Sequence, residues 1–337
     1  MSSTFIPTSA SSVGQQDPLP ITSQLHSSLG KCYVIDQVLS QRTAAGRLWC
    51  VYRARHEGEQ FIVKDIIPSE FEYSLELEKH IKHSSHVRTS VDSIPERHMF
   101  VFPYLEKGLL HIDTTALPPL ARKAIIRDAL LGLADIHDKQ IIHTDIKPTN
   151  IMMDSFKQQD GVLGWRNVQI IDLESAVVLP PDVKGLADRL SGNHFWRSPE
   201  AWARGIQNTS SDIYSFAIVA IFAWTGRMVF FSEEANHASP EDRANLILRQ
   251  HLSLFANDVA DFEGFISYHG GDDIPFVRHV KELFCSFSQE QPRLPFARWL
   301  QVDPQFRDLV CKMTCMDPLR RITAREALDH PWFSAAD

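Results

Sequence analysis

Ile141-Ile142-His143-Thr144-Asp145-Ile146-Lys147-Pro148-Thr149-Asn150-Ile151-Met152 is the stretch on which the reading of this chain turns. Apolar residues flank it on both sides, while a carboxylate, an ammonium and an amide lie between them. Such groups, set between segments of interior character, must be held at a surface for a reason. Upstream, Leu120 to Lys139 carries Ile126, Leu130, Leu133 and Ile136 at helical spacing, so the stretch follows a long helix.

Working outward, the chain divides by composition. Residues 1–30 are rich in Ser, Thr, Pro and Gln without hydrophobic periodicity, and are expected to form a disordered tail. From Lys31 to Tyr104 the pattern is mainly strands. Short β-rich runs stand at Trp49 to Ala54, Gln60 to Ile66 and His98 to Tyr104, and one helix is expected over Ser69 to Lys82. Residues 105–337 are mainly helical. A small sheet-rich lobe followed by a larger helical lobe is a two-lobed α+β plan. No internal repeat is visible.

The bulk numbers exclude several classes. The 337 residues carry a formal net charge of −8 with no basic block, so nucleic acid is not an expected partner. Ile213 to Trp224, the most apolar run, is too short for a bilayer and reads as a buried helix. No Lys or Arg precedes Lys31 and no apolar run opens the chain, so no signal or transit peptide is expected. Five scattered cysteines fit a reducing compartment better than a disulfide framework. The expectation is an intracellular protein, cytoplasmic or nuclear, without a membrane partner; its oligomeric state cannot be read.

The chemistry follows from the central stretch. Phosphoryl transfer needs a carboxylate to accept the proton of the attacking hydroxyl, a cation near the γ-phosphate and an oxygen ligand for a metal ion. Asp145, Lys147 and Asn150 supply these at offsets of zero, two and five. The stretch resembles the H-R-D-x-K-x-x-N catalytic loop of eukaryotic protein kinases. The resemblance implies Asp145 as base, Lys147 as γ-phosphate and substrate contact, and Asn150 as a magnesium ligand. It also implies a bilobal kinase-like fold that uses ATP and Mg2+. Lys147 matches the serine/threonine type, so a protein substrate with a Ser/Thr acceptor is implied. Thr144 in place of arginine is similar to the H-T-D loops of SR-protein and LAMMER kinases. Loss of that arginine removes the usual anchor for a phosphorylated activation loop, so activity is expected not to depend on one.

Other motifs follow in the family's order. Gln169-Ile170-Ile171-Asp172-Leu173-Glu174 resembles the D-F-G element, with Asp172 as the second metal ligand; Leu173 and Glu174 are departures, and glutamate resists backbone angles that glycine permits. Gly192 to Glu200 resembles G-T-x-x-Y-x-A-P-E, and Asp317-Pro318-Leu319-Arg320-Arg321 offers Arg321 as the structural partner of Glu200. Asp212 matches the carboxylate that the family uses to hold the catalytic-loop backbone.

The small lobe matches less fully. Lys64, in Phe61-Ile62-Val63-Lys64, sits where the V-A-x-K lysine contacts the α- and β-phosphates. Its partner is expected on the following helix, where the apolar arc favours Glu78 over Glu76 and Glu72. Val51 and Met152 would sandwich the adenine, Ile62 would border it, and Phe102 stands at the gatekeeper position before the hinge residue Leu105. Aligning the G-x-G-x-x-G-x-V frame on Val51 puts Ala44, Gly46 and Trp49 at the glycine positions, and only Gly46 remains. These departures make a pseudokinase scaffold the alternative to an active enzyme. A small-molecule phosphotransferase would share the Asp and Asn chemistry but lack the Ser198-Pro199-Glu200 platform. His80, His83 and His86 read as a solvated helix end rather than a zinc site, and Cys311 and Cys315 as buried thiols.

Overall fold

The computed structural model describes residues 17–157 and 163–334. It divides into two compact units. The first comprises the chain up to Glu76 together with Thr89–Tyr104, and the second Leu77–Arg88 together with the chain from Leu105 onward.

The first unit is an antiparallel sheet. Its strands are β1 (Gln24–His26), β2 (Cys32–Ala44), β3 (Arg47–His56), β4 (Glu59–Asp65), β5 (Asp92–Ile94) and β6 (Met99–Pro103), in the order β1-β2-β3-β4-β6-β5. Strict alternation along β3 explains the pairing: Leu48, Cys50, Tyr52 and Ala54 are all buried, with partly exposed residues between them. With Tyr33, Ile35, Val63, Met99 and Val101 they form one apolar face. The opposite face packs Ile62, Phe100 and Phe102 against Phe71, which opens helix α1 (Phe71–Ile81).

Part of the tail expected over residues 1–30 is instead regular structure. Residues 1–16 lie outside the described residues, but Gln24–His26 pair with β2 and Leu25 is buried. The cause is polar. Buried Asp92 accepts from Ser27 Oγ at 2.5 Å, Ser28 Oγ at 3.2 Å and Tyr33 Oη at 3.1 Å. Burial and this carboxylate push the Tyr33 phenol well above its usual pKa.

The second unit is mainly helical. It contains strand β7 (Lys107–Gly108), helix α2 (Pro119–His137) and strands β8 (Ile141–Ile142), β9 (Ile151–Lys157), β10 (Leu163–Ile170) and β11 (Val177–Val178). Helices α3 (Pro199–Trp202), α4 (Thr209–Thr225), α5 (Glu233–His237) and α6 (Pro240–Phe255) follow, then α7 (Val259–Tyr268), α8 (Pro275–Cys285), α9 (Pro304–Met313), α10 (Ala324–Leu328) and α11 (Pro331–Ser334). Helix α4 is buried at every position from Ser211 to Ala223, so it is enclosed on all sides rather than amphipathic. Its N-cap Asn208 accepts from Ser210 N, and Gly226 ends it in the left-handed conformation. No described helix is long and apolar enough to cross a membrane. All five cysteines are free. The architecture is a β-rich part with one main helix followed by a larger helical part, the α+β plan that the sequence leads one to expect.

Candidate active site

Asp212, in the first turn of α4, organises the loop that carries Asp145. Its carboxylate accepts from His143 N at 2.7 Å and Thr144 N at 2.9 Å, and from His137 Nε2 at 3.0 Å. His143 is wholly buried. Asp145 N donates to its Nδ1 at 3.3 Å, so Nε2 carries the proton and donates to Ile171 O at 3.0 Å. That bond ties the loop to the segment leading into Asp172. Thr144 has φ 68, a left-handed angle that a β-branched residue adopts at a cost of roughly 1–2 kcal/mol. Two amide bonds to one carboxylate are what hold it there.

Three sequence-singled residues meet at Asp145. Lys147 Nζ lies 2.5 Å from Asp145 Oδ2, and Asn150 Nδ2 donates to Asp145 O at 2.9 Å and more weakly to Oδ2 at 3.4 Å. Asn193 N donates to Asp145 Oδ1 at 3.1 Å, a contact no sequence pattern announced. It requires the preceding Gly192, whose φ is +73 and where a Cβ would come within 3.0 Å of Thr144 O. Because the Asn150 amide nitrogen faces the Asp145 carbonyl, its amide oxygen is the atom that can turn to a ligand. That oxygen and the Asp172 carboxylate are both oxygen donors of the kind hard divalent cations take.

Asp172 follows strand β10, and its φ of 70 and ψ of 63 place it in the left-handed region. This resolves the misfit expected at Glu174. The left-handed angle falls on Asp172, a residue type that tolerates it, while Glu174 sits in a 3₁₀ turn, Leu173–Ser175. Leu173 is buried, as its apolar slot requires.

Arg88 escaped the sequence reading. It is buried, its N–H donates to Ile170 O at 2.8 Å, and His86 O accepts from Ile170 N at 2.9 Å. Burial lowers its guanidinium pKa to about 10, against the opposing pull of Asp172 and then Glu78. Among the three candidate glutamates, Glu78 is buried while Glu72 and Glu76 are exposed. An arginine directly after Val87 carries no sequence sign of burial, since Arg is ordinarily a surface residue.

The segment after Asp172 is fastened without a phosphate. Thr144 Oγ1 donates to Ser175 O at 3.0 Å. Arg197 donates to Ser191 O at 2.6 Å and Gly192 O at 2.5 Å, and its guanidinium lies 4.6 Å from the Trp202 ring centroid. Farther on, Arg321 grips Glu200 with two bonds of 3.0 and 2.8 Å, both side chains fully buried. Burial opposes the Glu200 charge, but Arg321 overrides it and holds the carboxyl below its usual pKa.

Leu105 is buried, and Met152 lies half-buried on β9 opposite Gly108. In the first unit, one sheet face gathers the other candidates. Val51 pairs with Lys64 and Ile62 with Phe102, while Lys64 also pairs with Phe100, so all five share a face. Gly46 is at a hairpin tip. Ala44 pairs with Arg47 across a two-residue turn in which Ala45 has φ 50 and Gly46 φ 73, the signature of a type I′ hairpin. Trp49 pairs with Arg42, its Nε1 donates to Ala44 O at 3.3 Å, and the Arg47 guanidinium lies 4.5 Å from its ring centroid. The segment that aligns with a glycine-rich loop is thus an ordinary twisted ladder.

A family described as the protein kinase domain matches residues 37–333. Among curated relatives, a dual specificity protein kinase, pyk3, of Dictyostelium discoideum is 35% identical over 133 residues, 38% of this chain and 9% of the relative. A probable cyclin-dependent kinase 8 of the same organism is 30% identical over 219 residues, 63% of this chain and 52% of the relative. The serine/threonine-protein kinase srb10 of Schizosaccharomyces pombe is 26% identical over 250 residues, 70% of this chain and 63% of the relative. The chain spans less than two thirds of the length of each of these relatives. With the family match running through both units, from Gln37 to Phe333, the chain belongs to the protein kinase domain family.

Proposed function

We propose that the chain transfers the γ-phosphoryl group of ATP to a serine or threonine hydroxyl of a protein substrate. The observation that carries this reading is the set of bonds around Asp145: Lys147 and Asn150 on one oxygen, Asn193 N–H on the other. A carboxylate held by fixed donors can orient the acceptor hydroxyl and take its proton as the phosphoryl group leaves. Lys147, already beside that carboxylate, offsets charge on the transferring group. Mg2+, when bound, would neutralise phosphate charge, and Asn150 and Asp172 are the residues that would hold it. Lys64 would take the α- and β-phosphates, and Val51, Ile62, Phe102, Leu105 and Met152 would frame the adenine. Its five free thiols favour a place inside the cell.

One observation favours a second reading. Trp49, fixed under Arg47, and Ala44 stand at two of the three positions where glycines would let phosphates approach closely, which suits a scaffold with little turnover. Radiolabel transfer from ATP and Mg2+ to a generic Ser/Thr substrate, with Asp145→Ala as control, tests both. Transfer abolished by that substitution supports the enzyme. No transfer, together with no magnesium-dependent thermal shift by ATP, supports the scaffold.

A further inference from the structure

A basic groove lies in the second unit, far along the chain from the residues around Asp145. Two adjoining cavities, of about 770 Å3 and about 310 Å3, share Arg227, Trp299 and Gln301 as a common wall. Arg293 and Arg298 line the larger and Arg122 the smaller. No Asp or Glu lines either cavity, and among the described residues none of the four arginines forms an ion pair. This occurs in a chain whose net charge is −8, where carboxylates are plentiful.

Two of the arginines have structural employment. Arg122 donates to Trp224 O and lies 4.8 Å from the Trp224 ring centroid, and Arg293 donates to Leu252 O and Ala256 O. These bonds satisfy carbonyls at the ends of α4 and α6, as cations at helix C-termini do. They leave the positive charges uncompensated. Arg227 and Arg298 are exposed, and Arg227 lies 5.5 Å from the Trp299 ring centroid. Burial and then the neighbouring Arg298 lower the Arg293 pKa, so like charges are held close together. Between them the wall is apolar, with Met228, Leu254 and Leu294, the last 65% exposed.

We propose that this groove is a docking site for an acidic peptide segment of a protein partner, one that carries an aliphatic or aromatic anchor. Guanidinium groups suit carboxylates through paired hydrogen bonds, and Trp and Arg dominate the binding energy of protein interfaces. The larger cavity has the size of a side-chain or small-ligand pocket. A flat bilayer cannot enter such a well, and nucleic-acid phosphates have no use for its apolar wall. The chain's net charge of −8 disfavours extended polyanions. The site stands apart from the phosphoryl-transfer chemistry and does not depend on it.

An array of seven-residue peptides, each with three or four Asp or Glu and one Leu, Phe or Trp, tests this on the full chain. Members without the anchor, and Lys-for-Glu counterparts, serve as controls. A subset of acidic, anchored members is expected to bind saturably, and to bind Asp145→Ala equally well. The exposed pair Arg227→Glu with Arg298→Glu is expected to weaken those members at least tenfold while its thermal melt is unchanged. Binding of no acidic member above the Lys-for-Glu controls overturns the proposal. Equal binding by the charge-reversed variant overturns it too, as does tighter binding of single-stranded oligonucleotides or anionic vesicles that the same reversal abolishes.

Discussion

Thr144 Oγ1 donates to the carbonyl oxygen of Ser175 at 3.0 Å, so the residue beside the candidate base fastens the start of the following segment directly. Where an arginine would await a phosphate, a hydroxyl and a carbonyl meet instead. Arg197 fastens the far end of the segment through Ser191 O and Gly192 O. The segment therefore has its anchors in place without modification.

Replacing Ser175 and Ser191 together with alanine is expected to leave phosphoryl transfer within about twofold of the parent, because both serines bond here through backbone carbonyls. Initial-rate radiolabel transfer checks this. Abolished activity with an intact melt would refute the anchoring account.

Arg88→Met is expected to destabilise the fold by about 3 kcal/mol, since it leaves the Asp172 and Glu78 carboxylates without the buried cation that acts on them. Urea unfolding reads the loss directly. A variant as stable as the parent would mean that the guanidinium is not electrostatically required.

Glu200→Gln removes the buried charge opposite Arg321 and is expected to cost about 3 kcal/mol near neutral pH. The sign of the pH effect follows from the depressed carboxyl pKa. The ion pair contributes fully above the unfolded value, 4.5, and that contribution is lost as pH falls through the lower folded value. Denaturant curves between neutral pH and acid should show this fall in the parent and a flatter profile in the variant.

Ala45→Gly is expected to stabilise the hairpin by about 1 kcal/mol, because φ 50 at this tip is costly for alanine and free for glycine, and the site is open. A thermal melt that rises by a few degrees confirms the turn geometry. A fall would show that the tip does not hold a left-handed residue.

Much of the fold was legible because its signals are local. β-rich runs marked the inner strands near Trp49 and Gln60, helical spacing marked the helix that ends at His137, and the mostly apolar run Ile213 to Trp224 marked buried α4. Strand β2 was harder, since beyond Val38 its residues face solvent on both sides and no alternation remains to be read. The order of Asp145, Lys147 and Asn150 is likewise local, and these three meet in space. Asn193 and Arg88 could not be read. One acts through its backbone N–H, which every residue type but proline has, and the other owes its role to burial that arginine does not advertise. Glu174 shows the opposite error, a misfit expected from a motif and dissolved because the left-handed angle falls two places earlier, on Asp172.

The tether between the first strand and Asp92 bears on how the chain could be shortened. Composition invites a cut at Lys31. Such a cut would delete Ser27 and Ser28 and leave a buried carboxylate with Tyr33 as its remaining side-chain donor among those described above. Leu19, whose N–H donates to Tyr52 Oη at 3.0 Å, would go together with strand β1, uncovering part of the apolar face and the β2 edge. A trimmed version beginning at Lys31 should therefore be prone to aggregate, and the shortest well-behaved fragment should start ahead of Leu19.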